Sequence, residues 1–166
     1  MKDLTMKSAS PALDDIDRLI LATLQDEGRI TNVELARRAG LTAPPCLRRV
    51  RALEDSGAIK SYHARLDERT LGYGITVFAM VSLKSQAEDD LRAFEERVAS
   101  LPLVRECHML NGEIDFILKI VARDLQHFQG FLTSSLTTIP NVESVKTSLT
   151  IRTAKSLPGV PVDTLE

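Results

Sequence analysis

Only two cysteines, Cys46 and Cys107, occur in the 166 residues. Two cannot make the disulfide framework of a small secreted fold, and their scarcity suits a reducing, cytoplasmic setting. Nor do Cys46 and the pair Cys107-His108 make a metal set, because zinc needs clustered ligands such as paired Cys-x-x-Cys. No apolar run reaches the roughly 18 residues of a membrane-spanning helix. The first dozen residues, MKDLTMKSASPA, lack an apolar centre, so 1–12 are expected to form a short disordered arm rather than a secretory signal. There is no glycine-rich phosphate loop, nucleophile elbow or pair of catalytic carboxylates. These absences point away from an enzyme and leave no cofactor, metal or membrane to expect. What remains is 43% hydrophobic and 27% charged, the composition of a soluble globular chain with one large or two small domains.

Charge is unevenly spread. The whole chain carries −2, yet residues 29–65 set eight Lys/Arg against Glu34, Glu54 and Asp55, a local +5, and residues 66–166 come to −4. One segment attracts polyanions and the rest does not, which suggests two jobs on one chain.

The basic segment reads as three short helices. Asp14 can cap the first, with Asp17 three residues on and Leu13 as a staple; Ile16, Leu19, Ile20 and Leu24 form its stripe. Thr31 and Glu34 make a capping-box pair for the second, which stops at Gly40. Thr42 is the expected N-cap of the third. Pro44 and Pro45 fall in its first turn, where backbone N–H groups have no helical partner anyway. Leu47, Val50 and Leu53 are expected to face inward with Cys46 nearby, Arg48 and Arg51 outward, and Arg49 at the edge. A short strand is expected over "IKSYHARLD". This is the pattern of a helix-turn-helix with a small wing, whose third helix would enter the major groove of double-stranded DNA. Thr42, Pro44, Arg48, Arg49 and Arg51 are the candidates for contacting bases and phosphates, with Asn32, Arg37 and Arg38 supporting on the DNA backbone. A charged helix face that only solvates the protein is the ordinary alternative.

From Gly74 the pattern becomes β-α-β-β-α-β: strands over 75–84, 103–110, 114–122 and 142–153, and helices carrying Leu91, Phe94, Val98 and Leu101, then Leu125, Phe128, Leu132 and Leu136. Cys107 is read as strand core. The echo of "LPLV" in "IPNV" supports two β-α-β units, joined at the Asn111-Gly112 hairpin signal. The fold class is therefore α+β: a winged helix-turn-helix unit (13–62), a hinge or linker strand (63–74), a ferredoxin-like unit (75–155) and a tail (156–166). Both helices would cover one face of the sheet, yet Phe78, Met80, Ile117 and Val121 make the other face apolar too. A homodimer through that face is expected, and it would supply two reading heads.

Two other classes compete. One is a small αβ-barrel enzyme with His108 and Asp115 as its polar centre. The other is a ligand sensor whose helical domain binds protein.

The segments "LDDIDRLIL", "DEGRITNVELARRAGLT", "PCLRRVRALEDSGAIKSY" and "ECHMLNGEIDFILKI" resemble the Lrp/AsnC family of transcription regulators over about residues 13–155. The resemblance implies an N-terminal DNA-binding domain, a C-terminal sensing domain, and dimers that assemble further, commonly to octamers. It implies an amino-acid effector bound between dimers, at Met109, Gly112 and Asp115 on one side and Leu125, Ser148, Leu149 and Thr150 on the other. Leucine-responsive members favour a bulky aromatic and valines where this chain has Ser148, Leu149 and Thr150, so a smaller, more polar wall is expected. Gly112 has an alternative role as the left-handed residue of the Asn-Gly turn. Asp115 interrupts an apolar strand, so it needs either a ligand ammonium or a cluster of backbone N–H groups.

Overall fold

Asp14, Thr31 and Asp124 each cap a helix by accepting the backbone N–H three residues on: from Asp17 at 2.8 Å, Glu34 at 3.3 Å and His127 at 2.7 Å. They open α1 (Asp15–Asp26), α2 (Asn32–Arg38) and α5 (Leu125–Phe131). At α1 the box is reciprocal, for Asp17 also accepts the Asp14 N–H. At α2 it is not, because the Glu34 carboxylate is drawn to Arg37 and Arg38 instead.

The computed structural model describes residues 13–162, and the expected arm over 1–12 lies outside them. The chain divides into two units. One runs up to Arg65 and takes the chain in again from Lys155; the other is Leu66–Ala154.

In the helical unit, α1, α2 and α3 (Ala43–Asp55) enclose Ile20, Leu35, Ala36, Ala39, Cys46 and Leu53. Gly40, at φ +67°, takes the left-handed turn between α2 and α3 that a side chain would resist. The expected inner stripe of α3 needs a correction. Cys46 is fully buried and Leu47 is 38% exposed, so α3 meets the core with Cys46, Val50 and Leu53, residues four and three apart. The wing strand is also corrected: residues 59–67 have no regular secondary structure. A strand needs a ladder partner, and among the described residues no strand pairs with this segment.

The second unit is an antiparallel sheet of β1 (Ile75–Leu83), β2 (Val104–Met109), β3 (Phe116–Ala122) and β4 (Val142–Leu149), in the order β2-β3-β1-β4. α4 (Glu88–Ala99) follows β1, and α5 follows β3. This is the expected β-α-β-β-α-β arrangement. Val77, Ala79, Val81 and Leu83 alternate on β1 with residues of the other face. With Phe116, Leu118 and Ile120 they pack against Leu91, Phe94 and Val98 of α4 and Phe128 and Phe131 of α5. Each such side chain contributes roughly 1.5–3 kcal/mol when fully buried. Phe94 and Phe116 stack at 4.6 Å between centroids.

Several local expectations give way. β4 stops at Leu149 rather than running on to residue 153, because its last bond, from the Thr150 N–H to the Thr76 carbonyl, reaches the start of β1. Beyond that point Ile151 is 96% exposed. The α5 helix passes into a π-helical turn over Leu132–Leu136. There the Thr137 N–H and hydroxyl both donate to the Leu132 carbonyl, a five-residue reach that the hydroxyl reinforces. Leu125 is exposed. Cys107, expected in the strand core, is exposed on the edge strand β2.

Candidate nucleic-acid interface and effector site

The start of α3 has an unusual construction. Thr42 takes the N-cap position but makes no side-chain cap bond. The reason is chemical. An N-cap oxygen accepts from the second or third helical N–H, and here those residues are Pro44 and Pro45, which have none. The prolines pre-set the turn and leave the Thr42 hydroxyl exposed and uncommitted to the helix. Asn32 ties this start to α2: its Nδ2 donates to the Ala43 carbonyl at 2.9 Å.

The five basic candidates separate into two groups. Arg37 donates twice to Glu34, at 2.8 and 2.7 Å. Arg38 donates to Glu34 and, through both terminal nitrogens, to Glu27. Arg49 donates from Nη1 to Asp14 at 2.7 Å and to Asp17 at 2.8 Å. These three are neutralised by their own chain. Their guanidiniums in turn hold Glu34 down at about 2, through Arg37 first and Arg38 second. Asp14 is lowered as well, by the Asp17 N–H and then by Arg49. Arg48 and Arg51 are exposed and form no ion pair among the described residues. Uncompensated positive charge on α3 therefore sits at Arg48 and Arg51, one turn apart.

In the second unit, the seven effector candidates do not come together. Met109, Gly112 and Asp115 lie at and beyond the end of β2, level with Val81 on β1. Ser148 and Leu149 pair with Phe78 and Val77, at the opposite edge of the sheet. Leu125 begins the helix after β3, at that same end. Four residues of strand and three inter-strand spacings separate the groups, roughly 13 Å by 14 Å. Met109, Leu125 and Leu149 are all more than half exposed, so each group offers uncovered apolar surface.

The hairpin expected at Asn111-Gly112 is present, with β2 and β3 paired antiparallel, but its turn is wider than two residues. A six-residue connection, 110–115, closes on the Leu110 N–H to Asp115 carbonyl bond at 2.8 Å. Gly112 is not in the left-handed region, and a Cβ there would meet open space. The turn does not need a glycine at that position.

Asp115 is buried at 9% exposure and satisfied within the chain. Its Oδ2 accepts the Leu83 N–H and its Oδ1 accepts the Gln86 side-chain amide, both at 2.7 Å. Of the two alternatives for this carboxylate, the donor inside the protein is present. Asn141, at φ 70°, grips the segment between β1 and α4 from β4's side, donating Nδ2 to the Ser85 carbonyl and accepting its N–H on Oδ1. Gln86 and Asn141 carry no sequence signal, since their partners lie 29 and 56 residues away. The Thr150 hydroxyl oxygen is buried without a hydrogen-bond partner at the far edge.

A helix-turn-helix with a proline-set third helix and two uncompensated arginines, followed by an α+β sheet unit, defines a two-domain DNA-binding regulator. Comparison with known proteins agrees. A winged helix-turn-helix DNA-binding model matches residues 13–60, and the Lrp/AsnC ligand binding domain model matches residues 76–160. The chain belongs to the Lrp/AsnC family of transcriptional regulators.

It is 55% identical to a leucine-responsive regulatory protein of Rhizobium meliloti over 143 residues, covering 86% of this chain and 92% of that one. It is 44% identical to the Bkd operon transcriptional regulator of Pseudomonas aeruginosa over 140 residues, covering 84% and 92%. Among solved structures, a Neisseria meningitidis transcriptional regulator in complex with L-Met superposes with TM-score 0.87 at 34% identity, covering 91% of this chain and 97% of that one. These relatives are transcriptional regulators, so the αβ-barrel enzyme reading is set aside and the chain is not an enzyme. Among the described residues, no helix is long and apolar enough to cross a membrane.

Proposed function

We propose that this regulator reads a two-fold DNA site with the outer side of α3 and responds to an amino acid held between chains of a dimer-based assembly. The observation that carries the DNA half is the sorting of the arginines. Arg48 and Arg51 keep their charge for a partner, while Arg37, Arg38 and Arg49 are already paired. Thr42 and Pro44, both exposed at the start of α3, complete the reading face. Arg48 reads a base edge and Arg51 holds a phosphate; Asn32, Arg37, Arg38 and Arg49 act behind them as positioning groups.

The effector half is supported by the divided site. Met109, Gly112 and Asp115 at one corner of the sheet, and Leu125, Ser148, Leu149 and Thr150 at the other, can line one pocket only when two chains meet. Gly112, unconstrained by its turn, leaves room for close approach of a ligand. The Neisseria regulator's L-Met complex supports an amino acid as the class of effector. The sheet face bearing Phe78, Met80 and Ile117 has no helices of its own and is the proposed homodimer surface, with further assembly to an octamer in the cytoplasm.

Fluorescence anisotropy on a duplex selected from a random pool tests the reading head. Affinity should fall with salt at a logarithmic slope of about −0.9 per neutralised phosphate. Arg48→Ala should lose about 5- to 150-fold, since a bidentate arginine–guanine contact is worth about 1–3 kcal/mol. A flat salt response would reject the proposal. A thermal-shift screen of the twenty amino acids tests the sensing half; an amino acid at a hundred times its Kd stabilises the folded chain by about 2.7 kcal/mol.

A further inference from the structure

The chain passes between its two units twice, at 65–66 and again at 154–155. After the second passage, the returning segment makes a built contact inside the helical unit. Gln25, in the last turn of α1, donates Nε2 to the Val160 carbonyl at 2.8 Å and accepts the Val160 N–H on Oε1 at 3.1 Å. A primary amide that meets both polar groups of one residue imitates a neighbouring strand. The fit requires Gly159. It stands at φ +61°, and a Cβ there would overlap the Gln25 amide. Pro158 and Pro161 flank the contact and restrict the segment before it docks, which lowers the entropy lost on docking. Within the same unit, Arg65 donates Nη1 to the Ser156 carbonyl at 3.0 Å, so the returning segment is also held to the residue where the outgoing chain leaves.

Apolar burial does not hold this segment, since Leu157 and Val160 are 73% and 66% exposed. Backbone pairing does, and two solvent-accessible hydrogen bonds make a contact that can be released.

We propose that residues 155–160 are a second, releasable tether on the DNA-binding unit, clamped by Gln25 on Val160. The inference rests on the DNA-binding reading above and extends it to regulation. The segment continues directly from β4, and Leu149, in the proposed effector wall, precedes Val160 by eleven residues. A change at that wall therefore has a short covalent route to α1. With both passages fixed, each reading head explores less space, and the second half-site of a DNA target is met at higher effective concentration. With the clamp open, each head hangs on one linker.

The test uses the full chain and two variants, Gln25→Ala and Gly159→Ala, neither of which touches the reading face. Hydrogen exchange should show the Val160 amide slowed in the wild type and freed in both variants. Binding is then measured on a selected duplex with two half-sites and on the same duplex cut to one. The variants should lose about fivefold or more on the two-site duplex and stay within about twofold on the single site. Equal losses on both duplexes would mean a damaged head and overturn the tether, as would no loss on either. A Val160 amide that exchanges as fast in the wild type as in the variants would overturn it at the first step. If the wild type selected no duplex, the DNA reading would fail by itself, and exchange at Val160 would still decide whether the segment is docked.

Discussion

Arg49 Nη1 lies 2.8 Å from Asp17 Oδ1, joining the third helix of the DNA-binding unit to the first turn of its first helix across 32 residues of sequence. The same nitrogen holds Asp14, the cap of that helix. Arg49 therefore ties α3 to α1, while Arg48 and Arg51 on the same helix stay exposed and without an ion pair among the described residues.

Replacing Arg49 with alanine should lower the melting temperature of the helical unit by a few degrees at most, because a partly exposed pair is worth little. It should weaken DNA binding less than Arg48→Ala does. Combined with Asp17→Ala, the losses in melting temperature should be less than additive, which a double-mutant cycle measures. Full additivity would mean that the two groups do not act as a pair.

Restoring an N–H at residue 45 gives a second test. Asp14, Thr31 and Asp124 all cap through the third helical N–H, and Pro45 removes that donor from Thr42. Pro45→Ala should let the Thr42 hydroxyl turn back to cap α3, gaining about 0.5–2 kcal/mol. Loss of the proline's pre-set backbone offsets about 0.4–1 kcal/mol of it. Stability in urea should be nearly unchanged or slightly raised, and DNA affinity should fall several-fold. Unchanged affinity would show that the Thr42 hydroxyl has no part in reading DNA.

Asp115→Ala should destabilise the sheet unit by about 1–3 kcal/mol, since the Leu83 N–H and the Gln86 amide lose their acceptor in a buried setting. Gln86→Ala alone should cost less, because Leu83 keeps its partner. Urea unfolding of both variants measures the difference. DNA binding by the folded chain should survive both.

Acid should weaken the ion pairs around Glu34 in the helical unit. Glu34 sits at about 2 when folded against an ordinary 4.5, held there by Arg37 and then Arg38. A lowered carboxylate contributes stability that is present above its unfolded value and lost as pH falls toward its folded one. The contribution should fade between about pH 4.5 and 2, joined by that of Asp14. Melting curves across that range should be flatter for Glu34→Gln than for the wild type.

What the sequence revealed follows from distance along the chain. Caps at Asp14, Thr31 and Asp124 close over three residues, and the alternation of β1 and β3 repeats every second one, so both could be read directly. The two β-α-β units followed from the same local signals. Helical spacing puts Arg49 at the edge of α3, apart from Arg48 and Arg51, but does not show its pairing, because its partners lie 32 and 35 residues away. Gln25, Gln86 and Asn141 were invisible for the same reason. Thr42 was placed as a cap by its position, and its silence there comes from two prolines whose missing donors the position alone does not register. The strand expected over 59–67 had β-forming side chains but no neighbour to pair with.

The proposed effector wall has one more consequence. Its two parts stand at opposite corners of one sheet, so on the proposed reading a complete pocket would need two chains. A pocket assembled from both carries the chain concentration inside its affinity, as any shared site must. Diluting the protein would then weaken its response to the amino acid without altering a single contact, so the regulator would sense its own abundance along with its effector.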